Sequence, residues 1–425
     1  MIPRPQILLV APNASYRISD FLAAAERLKI DAIVASDRCR KLSEKWPSEK
    51  QISIDFSSIE ESAKNILEHC RSKSISAAIG VDDVSVELAA ILNQRLGLPG
   101  NSLRAAQISR NKYFFRKKLA ENRRLRSPEF CLVKATDEIE GIADEISFPC
   151  VLKPLFLSGS RGVIRANNLR EFKFALNRIR KILNEAEFAK HDVELRESIL
   201  VEDYIPGKEI AIEGLLTQDK LDILAVFDKP DPLTGPYFEE TLYITPSRLS
   251  HQTQNHIFKQ LALACETLGL RHGPIHAEAR LNKKGVFFLE IAARTIGGLC
   301  SRTLSFASGT SLEELVLKHA VGETTTPKPH PNIQASGVMM IPIPKGGKLE
   351  SFSGVDEASR VNGVQGVHIS ASPGSLLVPL PEGSSYLGFI FAKGGSPEFV
   401  ENSLRKAHAC LGFDIRTTFR PMMAA

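Results

Sequence analysis

Two stretches of alternating apolar and polar residues, 276–281 and 286–294, dominate the hydrophobic pattern and read as a β-hairpin. In the first arm Ile275, Ala277, Ala279 and Leu281 fall on one face, and His276, Glu278 and Arg280 on the other. In the second, Val286, Phe288, Glu290, Ala292 and Arg294 share a face, opposite Phe287, Leu289, Ile291 and Ala293. A three-residue turn at 283–285, with Gly285 in the left-handed position, pairs Asn282 with Val286 and sets Glu278 directly opposite Glu290. Cross-strand Cβ atoms then lie roughly 4.5–5.5 Å apart, and like charges there repel. A cation is therefore expected between the acids. A pair of acids in a hairpin also describes a solvated face. The apolar strand around Glu290, the lack of lysine on its face and the following Arg294 point instead to a magnesium–phosphate site.

The remaining pattern is mixed. Strands are expected at 7–11, 31–36 and 76–81, with helices at 20–29 and 84–96, an alternation that predicts a parallel α/β layer. A basic helix follows at 111–122, then a strand at 148–152 ending at Lys153 and Pro154, a small-residue loop at 157–163 and a charged helix at 170–188. Strands at 199–201 and 209–216 and a helix at 253–268 precede a Ser311–Glu314 capping box that opens a helix to Ala320. The proline-rich run 324–331 reads as a linker. Beyond it, 335–425 reads as a small α+β unit, with strands near 338–343, 368–370 and 388–392 and a helix at 397–411.

A chain of 425 residues suggests two to three domains. The net charge of +5 is dilute, and no basic block is interleaved with aromatics, so nucleic acid is not implied. The run Arg116–Lys118, Arg123, Arg124 and Arg126 is read mainly as a solvated helix face. Cysteines 39, 70, 131, 150, 265, 300 and 410 form no CxxC pair and read as free thiols of a reducing, cytoplasmic compartment. No run approaches a membrane span, and 7–11 is too short for a signal-peptide core.

Familiar nucleotide and hydrolase signatures are missing: no GxxxxGK[ST], no GxGxxG after the first strand, no GxSxG. His272 and His276 would lie about 13 Å apart along a strand, too far to share a zinc ion. A dispersed phosphate site is present instead. Ser158, Gly159, Ser160 and Gly162 offer backbone N–H groups with little side chain in the way. Lys153 and Lys112 supply point charges, and Glu209 and Glu213 share a strand face as acceptors. Each feature alone also has an ordinary structural explanation.

In this order the motifs resemble those of the ATP-grasp superfamily of ATP-dependent carboxylate ligases, over about residues 100–325. The resemblance implies that Lys112 and Lys153 are the nucleotide lysines and Ser158 to Gly162 the loop over the phosphates. It implies that Glu202 and Ile205 belong to the hinge whose backbone holds adenine, and that Glu209 accepts the ribose. It further implies that Leu289 packs on the purine, that Glu278 and Glu290 hold magnesium, and that Arg294 meets the reacting acyl group. The family usually has asparagine two residues after the second acid; here Ala292 stands there. Within the superfamily the chain is most similar to L-amino-acid ligases, through 228–241, 273–278, 294–298 and the size of its C-terminal part.

The resemblance implies a fold of α/β and α+β parts: an N-terminal α/β domain (1–100), an ATP-grasp domain (101–325, with subdomains at about 118–198 and 199–325) and a C-terminal α+β domain (332–425). It implies an enzyme that joins a small-molecule carboxylate to an amine through an acyl phosphate, using ATP with Mg2+ or Mn2+. Gly297 and Gly298 are candidates for the substrate carboxylate, and His276 for a substrate contact. No nucleic acid or membrane partner is expected; a homodimer is left open. Another ATP-grasp ligase, of purine-pathway or biotin-carboxylase type, and a catalytically silent ATP-binding module remain alternatives.

Overall fold

The computed structural model describes residues 4–37, 50–134, 137, 146–189, 192–323 and 334–417, with the side chains of 306–308 left aside. The expected linker at 324–331 and Cys39 lie outside the described residues. The chain divides into two compact units. One comprises Met1–Ser127, Ile210–Val226 and Leu249–His330; the other comprises Pro128–Glu209, Phe227–Arg248 and Pro331–Ala425.

The first unit opens with a parallel sheet in the order Gln51–Ser53, Asp31–Ser36, Gln6–Val10, Ile75–Gly80. Leu8, Leu9 and Val10 have no exposed surface, as expected of a parallel strand covered on both faces. The helix expected at 20–29 is Ile18–Leu28, stopped by Lys29 in the left-handed conformation. The strand Gln51–Ser53 and the helix Ile59–His69 were not anticipated. The first is only three residues long, too short for a periodic signal.

The basic helix expected at 111–122 is present as Lys112–Ala120, and a separate helix, Leu103–Arg110, precedes it. Asn111 breaks the run: its side chain accepts from the N–H groups of Tyr113 and Phe114 at 3.0 and 3.1 Å, which makes it an N-cap. Arg116 is not on a solvated face. It is buried beside Phe115 and Leu119.

The hairpin is present as Gly273–Asn282 and Gly285–Ala292, but its connection differs from expectation. The turn holds two residues, not three, and Asn282 pairs with Gly285. The Asn282 side chain accepts from the Lys284 N–H at 2.8 Å, which closes the turn one residue early. The register recovers through a bulge: Ala279 pairs with Phe288, then Glu278 with Glu290, leaving Leu289 as the extra residue. The facing of the second arm therefore changes. Val286, Phe288 and Ile291 join one core with Ile275, Ala277 and Ala279, so Phe288 and Glu290 do not share a face. Phe115, Leu119, Ile210, Ile212, Ile257 and Leu261 complete that core. Each large aliphatic side chain so buried contributes on the order of 1.5–3 kcal/mol.

In the second unit an antiparallel sheet runs Phe130–Lys134, Ser198–Asp203, Cys150–Pro154, Ile164–Ala166. The helix Leu169–Leu183 lays Phe172, Ala175, Leu176, Ile179 and Ile182 into this unit's core at helical spacing. It ends five residues before the expected 188, where Asn184 caps it and a short 3-10 turn, Ala186–Phe188, follows. The C-terminal part builds antiparallel strands Leu242–Thr245, Ala335–Ile341, Gly388–Gly394 and Val364–Ile369, backed by the helix Pro397–Ala409. A second small sheet of Leu376–Leu377, Gly347–Ser353 and Gly412–Arg416 was not expected. Its alternation is interrupted by glycines and serines. The architecture is thus an N-terminal parallel α/β layer followed by α+β parts.

Candidate active site

In the first unit the acid pair is built by the hairpin. Glu278 and Glu290 oppose each other, and both are only partly buried. Two cations serve them. His276 Nε2 lies 3.4 Å from Glu278 Oε1, and Arg294 Nη2 lies 3.7 Å from Glu290 Oε1. His276 is buried, with Nδ1 2.5 Å from Glu213 Oε1. Burial alone would lower its pKa, but Glu213 and then Glu278 raise it to about 9, so the ring is an imidazolium at neutral pH. Glu213 is consumed by this contact and by the Ile296 N–H, which it accepts at 3.1 Å. It is therefore not an acceptor held open for a ligand, as its strand position suggested.

Arg294 does not continue the strand about 13 Å beyond Glu290, as a regular ladder would require. The strand stops at Ala292, and Arg294 turns back. Its Nε and Nη2 fork onto Asp83 at 2.9 and 2.8 Å, while Nη1 donates to the Thr295 carbonyl at 2.9 Å. Burial pushes the Asp83 carboxyl up, but Arg294, helped by Lys112 and Arg110, holds it below the usual carboxylate range. Lys112, the first residue of its helix, thus places its charge in the neighbourhood of this ion pair. Gly297 and Gly298 follow Arg294; a Cβ built on Gly297 would meet nothing within 4 Å. Leu289 is partly exposed beside Glu290.

Asp83 escaped the sequence reading, as did Arg17, which is buried, donates to Thr295 and lies 3.6 Å from Asp82. A signal was available. Arg17 and Asp82–Asp83 follow the neighbouring strands Gln6–Val10 and Ile75–Gly80, at the point of a 3-2-1-4 sheet where ligands collect. His272 lies outside the hairpin strand and packs against His319, ring centroids 4.6 Å apart and the rings tilted by 34°.

In the second unit Lys153 ends its strand in an ion pair with Glu202, which is almost fully buried in the adjoining strand. Ile205 is buried two residues past the end of that strand. Glu209 is held by Lys229 at 2.8 Å, and Lys229 also meets Glu240 at 2.5 Å. The loop from Ser158 to Gly162 is tied down by several contacts. The Gly162 N–H donates to the Pro381 carbonyl at 2.9 Å, and Arg161 pairs with Glu185 and Glu187 at 2.8 and 2.6 Å. Gly159, Ser160 and Gly162 all have positive φ, a turn conformation that orients successive N–H groups together.

Residues 146–303 match the ATP-grasp domain family, and 339–416 match the L-amino acid ligase C-terminal domain 2. The chain thus carries an ATP-grasp domain and an L-amino acid ligase C-terminal domain. This ATP-grasp chain is 28% identical to carnosine synthase 1 of Gallus gallus over 66% of its own length and 31% of the relative's. It is 28% identical to alanine–anticapsin ligase of Bacillus subtilis over 53% of its length and 49% of the ligase's. It therefore spans a third to a half of these curated relatives. The fold is also that of the crystal structure of an L-amino acid ligase from Bacillus licheniformis, with a TM-score of 0.82, 24% identity and coverage of 98% of this chain and 100% of the other. Among the described residues no helix is long and apolar enough to cross a membrane.

Proposed function

We propose that the protein is an ATP-dependent carboxylate–amine ligase that joins an amino acid to another amino acid or amine. The observation that carries this reading is the opposed pair Glu278 and Glu290 beside Arg294, in an ATP-grasp chain that also has the C-terminal domain of L-amino acid ligases. The substrate carboxylate attacks the γ-phosphoryl group of ATP, giving an acyl phosphate and ADP. The amine then attacks the acyl carbon and phosphate leaves.

Lys112 and Lys153 hold the phosphates, with the N–H groups of Ser158, Gly159, Ser160 and Gly162 around them. Glu202, Ile205 and Leu289 take the adenine and Glu209 the ribose. Carboxylate oxygens are hard donors of the kind magnesium and manganese accept, so Glu278 and Glu290 fit such an ion. Bound there, it would neutralise charge on the phosphates. Arg294 stabilises the oxygen that becomes negative as the amine adds. Gly297 and Gly298 bind a substrate carboxylate through N–H groups, and His276 orients Glu278 at the edge of the substrate site. Residues 1–100, 101–325 and 332–425 serve as the α/β, ATP-grasp and C-terminal domains. The setting is the cytoplasm; Cys70, Cys131, Cys150, Cys265, Cys300 and Cys410 carry free thiols, which agrees with a reducing compartment.

The test is an ADP-release screen over paired amino acids and amines, with products identified by mass. One ADP per new C–N bond is expected. ATP binding with no ADP release across the panel would support a silent nucleotide-binding module instead.

A further inference from the structure

Arg116 lies four residues after Lys112 in the helix Lys112–Ala120, so the two project from one side of it. Its side chain is almost wholly buried. Nη1 donates to the Phe288 carbonyl at 2.5 Å and Nη2 lies 3.4 Å from the Leu289 carbonyl. Phe288 borders the shift in register between Ala279–Phe288 and Glu278–Glu290, and Leu289 is the extra residue within it. A bulge removes backbone groups from the ladder, and buried carbonyls then need other donors. A planar guanidinium fork can serve two successive carbonyls at once; a lysine ammonium cannot hold that geometry. The bulge also has a consequence for facing. Phe288 and Ile291 both enter the core, so Leu289 and Glu290, though consecutive, both lie off it.

We propose that Arg116 is a positioning residue. It holds the bulge that turns Leu289 and Glu290 to the same side of the hairpin, and through it sets the metal affinity of the Glu278–Glu290 pair. The proposal rests on reading those two acids as metal ligands.

The experiment uses the full chain and its Arg116→Lys variant. Mn2+ binding in the presence of a non-hydrolysable ATP analogue is followed by electron paramagnetic resonance. Amide hydrogen exchange is measured without nucleotide, both well below the melting temperature. Arg116→Lys is expected to weaken Mn2+ binding tenfold or more. It should speed exchange at 287–291 while leaving 6–10 unchanged. Mn2+ affinity within twofold of the parent in the folded variant would overturn the proposal.

Deleting Leu289 supplies the second arm. A regular ladder then still pairs Glu278 with Glu290, but without a bulge to hold. In that background Arg116→Lys should cost no further Mn2+ affinity, and an equal loss in both backgrounds would overturn the proposal. Glu290→Gln separates the underlying reading. If it leaves Mn2+ affinity intact, the acids are not metal ligands and the proposal falls with that reading. If it abolishes binding while Arg116→Lys does not, only the role of Arg116 fails.

Discussion

Arg294 and Asp83, far apart in sequence, form a two-pronged ion pair with contacts of 2.9 and 2.8 Å. Burial would lower the Arg294 pKa, but Asp83 outweighs it and the guanidinium stays charged. An arginine aimed in this way needs little reorganisation to meet a developing oxyanion. Arg294→Lys is expected to keep ATP affinity within a few-fold and to lose kcat by about a hundredfold, the pattern of an interaction made in the transition state. Asp83→Asn should lower kcat by a smaller factor through lost aim. Calorimetry with ATP and single-turnover rates check this; loss of ATP affinity together with stability would leave Arg294 a structural ion-pair residue only.

Glu290→Gln should abolish turnover with a melting temperature near that of the parent, since Glu290 is partly exposed. Glu278→Gln should do the same, with some loss of stability because His276 contacts it. Near-normal turnover in the folded Glu290 variant would remove the metal assignment.

Lys153 carries two effects that one substitution would confuse. Lys153→Ala should weaken ATP binding, and it also removes an ion-pair partner from the buried Glu202 carboxylate, which lowers stability. Lys153→Met combined with Glu202→Gln relieves the second effect. The double variant is expected to regain most of the stability but not the ATP affinity, as read by melting and calorimetry. Recovery of both would show the lysine to be structural.

His276 makes stability depend on pH. Its folded pKa, about 9, lies above the ordinary 6.5. Its stabilising contribution is therefore complete below about 6.5 and fades as the pH rises through about 9. The melting temperature should fall by several degrees across that window. In His276→Gln the fall should disappear. An unchanged slope in the variant would assign it to other groups.

Gly162→Ala is expected to destabilise the protein by about 1–2 kcal/mol. Its φ is +71°, and an added Cβ would come within 2.6 Å of Pro154 Cγ. Despite the anchoring through Pro381 and Arg161, the amides of 158–162 should exchange more slowly once a non-hydrolysable ATP analogue is bound. Unchanged exchange would sever this loop from the phosphates.

Much of this protein is legible in one dimension. The run 7–11, the charged helix at 170–188, though not its end, and the alternating hairpin declare themselves because strand and helix periods are local properties of the chain. Resemblance through Lys112, Lys153, Glu278 and Glu290 carried the family for a similar reason: those motifs are short, ordered and chemically specific. What only the tertiary structure decided are the partners. The turn at Lys283–Lys284 and the bulge at Leu289 cancel each other, so the expected register of the acids emerged from a different path. The ion pair of Arg294 with Asp83, the bond of Glu213 to His276, the hold of Lys229 on Glu209 and the burial of Arg116 follow from which strands and helices meet. A charged residue looks the same in sequence on a solvated face and in a core. The difference is made by a neighbour dozens or hundreds of residues away, and only the folded chain brings that neighbour within hydrogen-bonding reach.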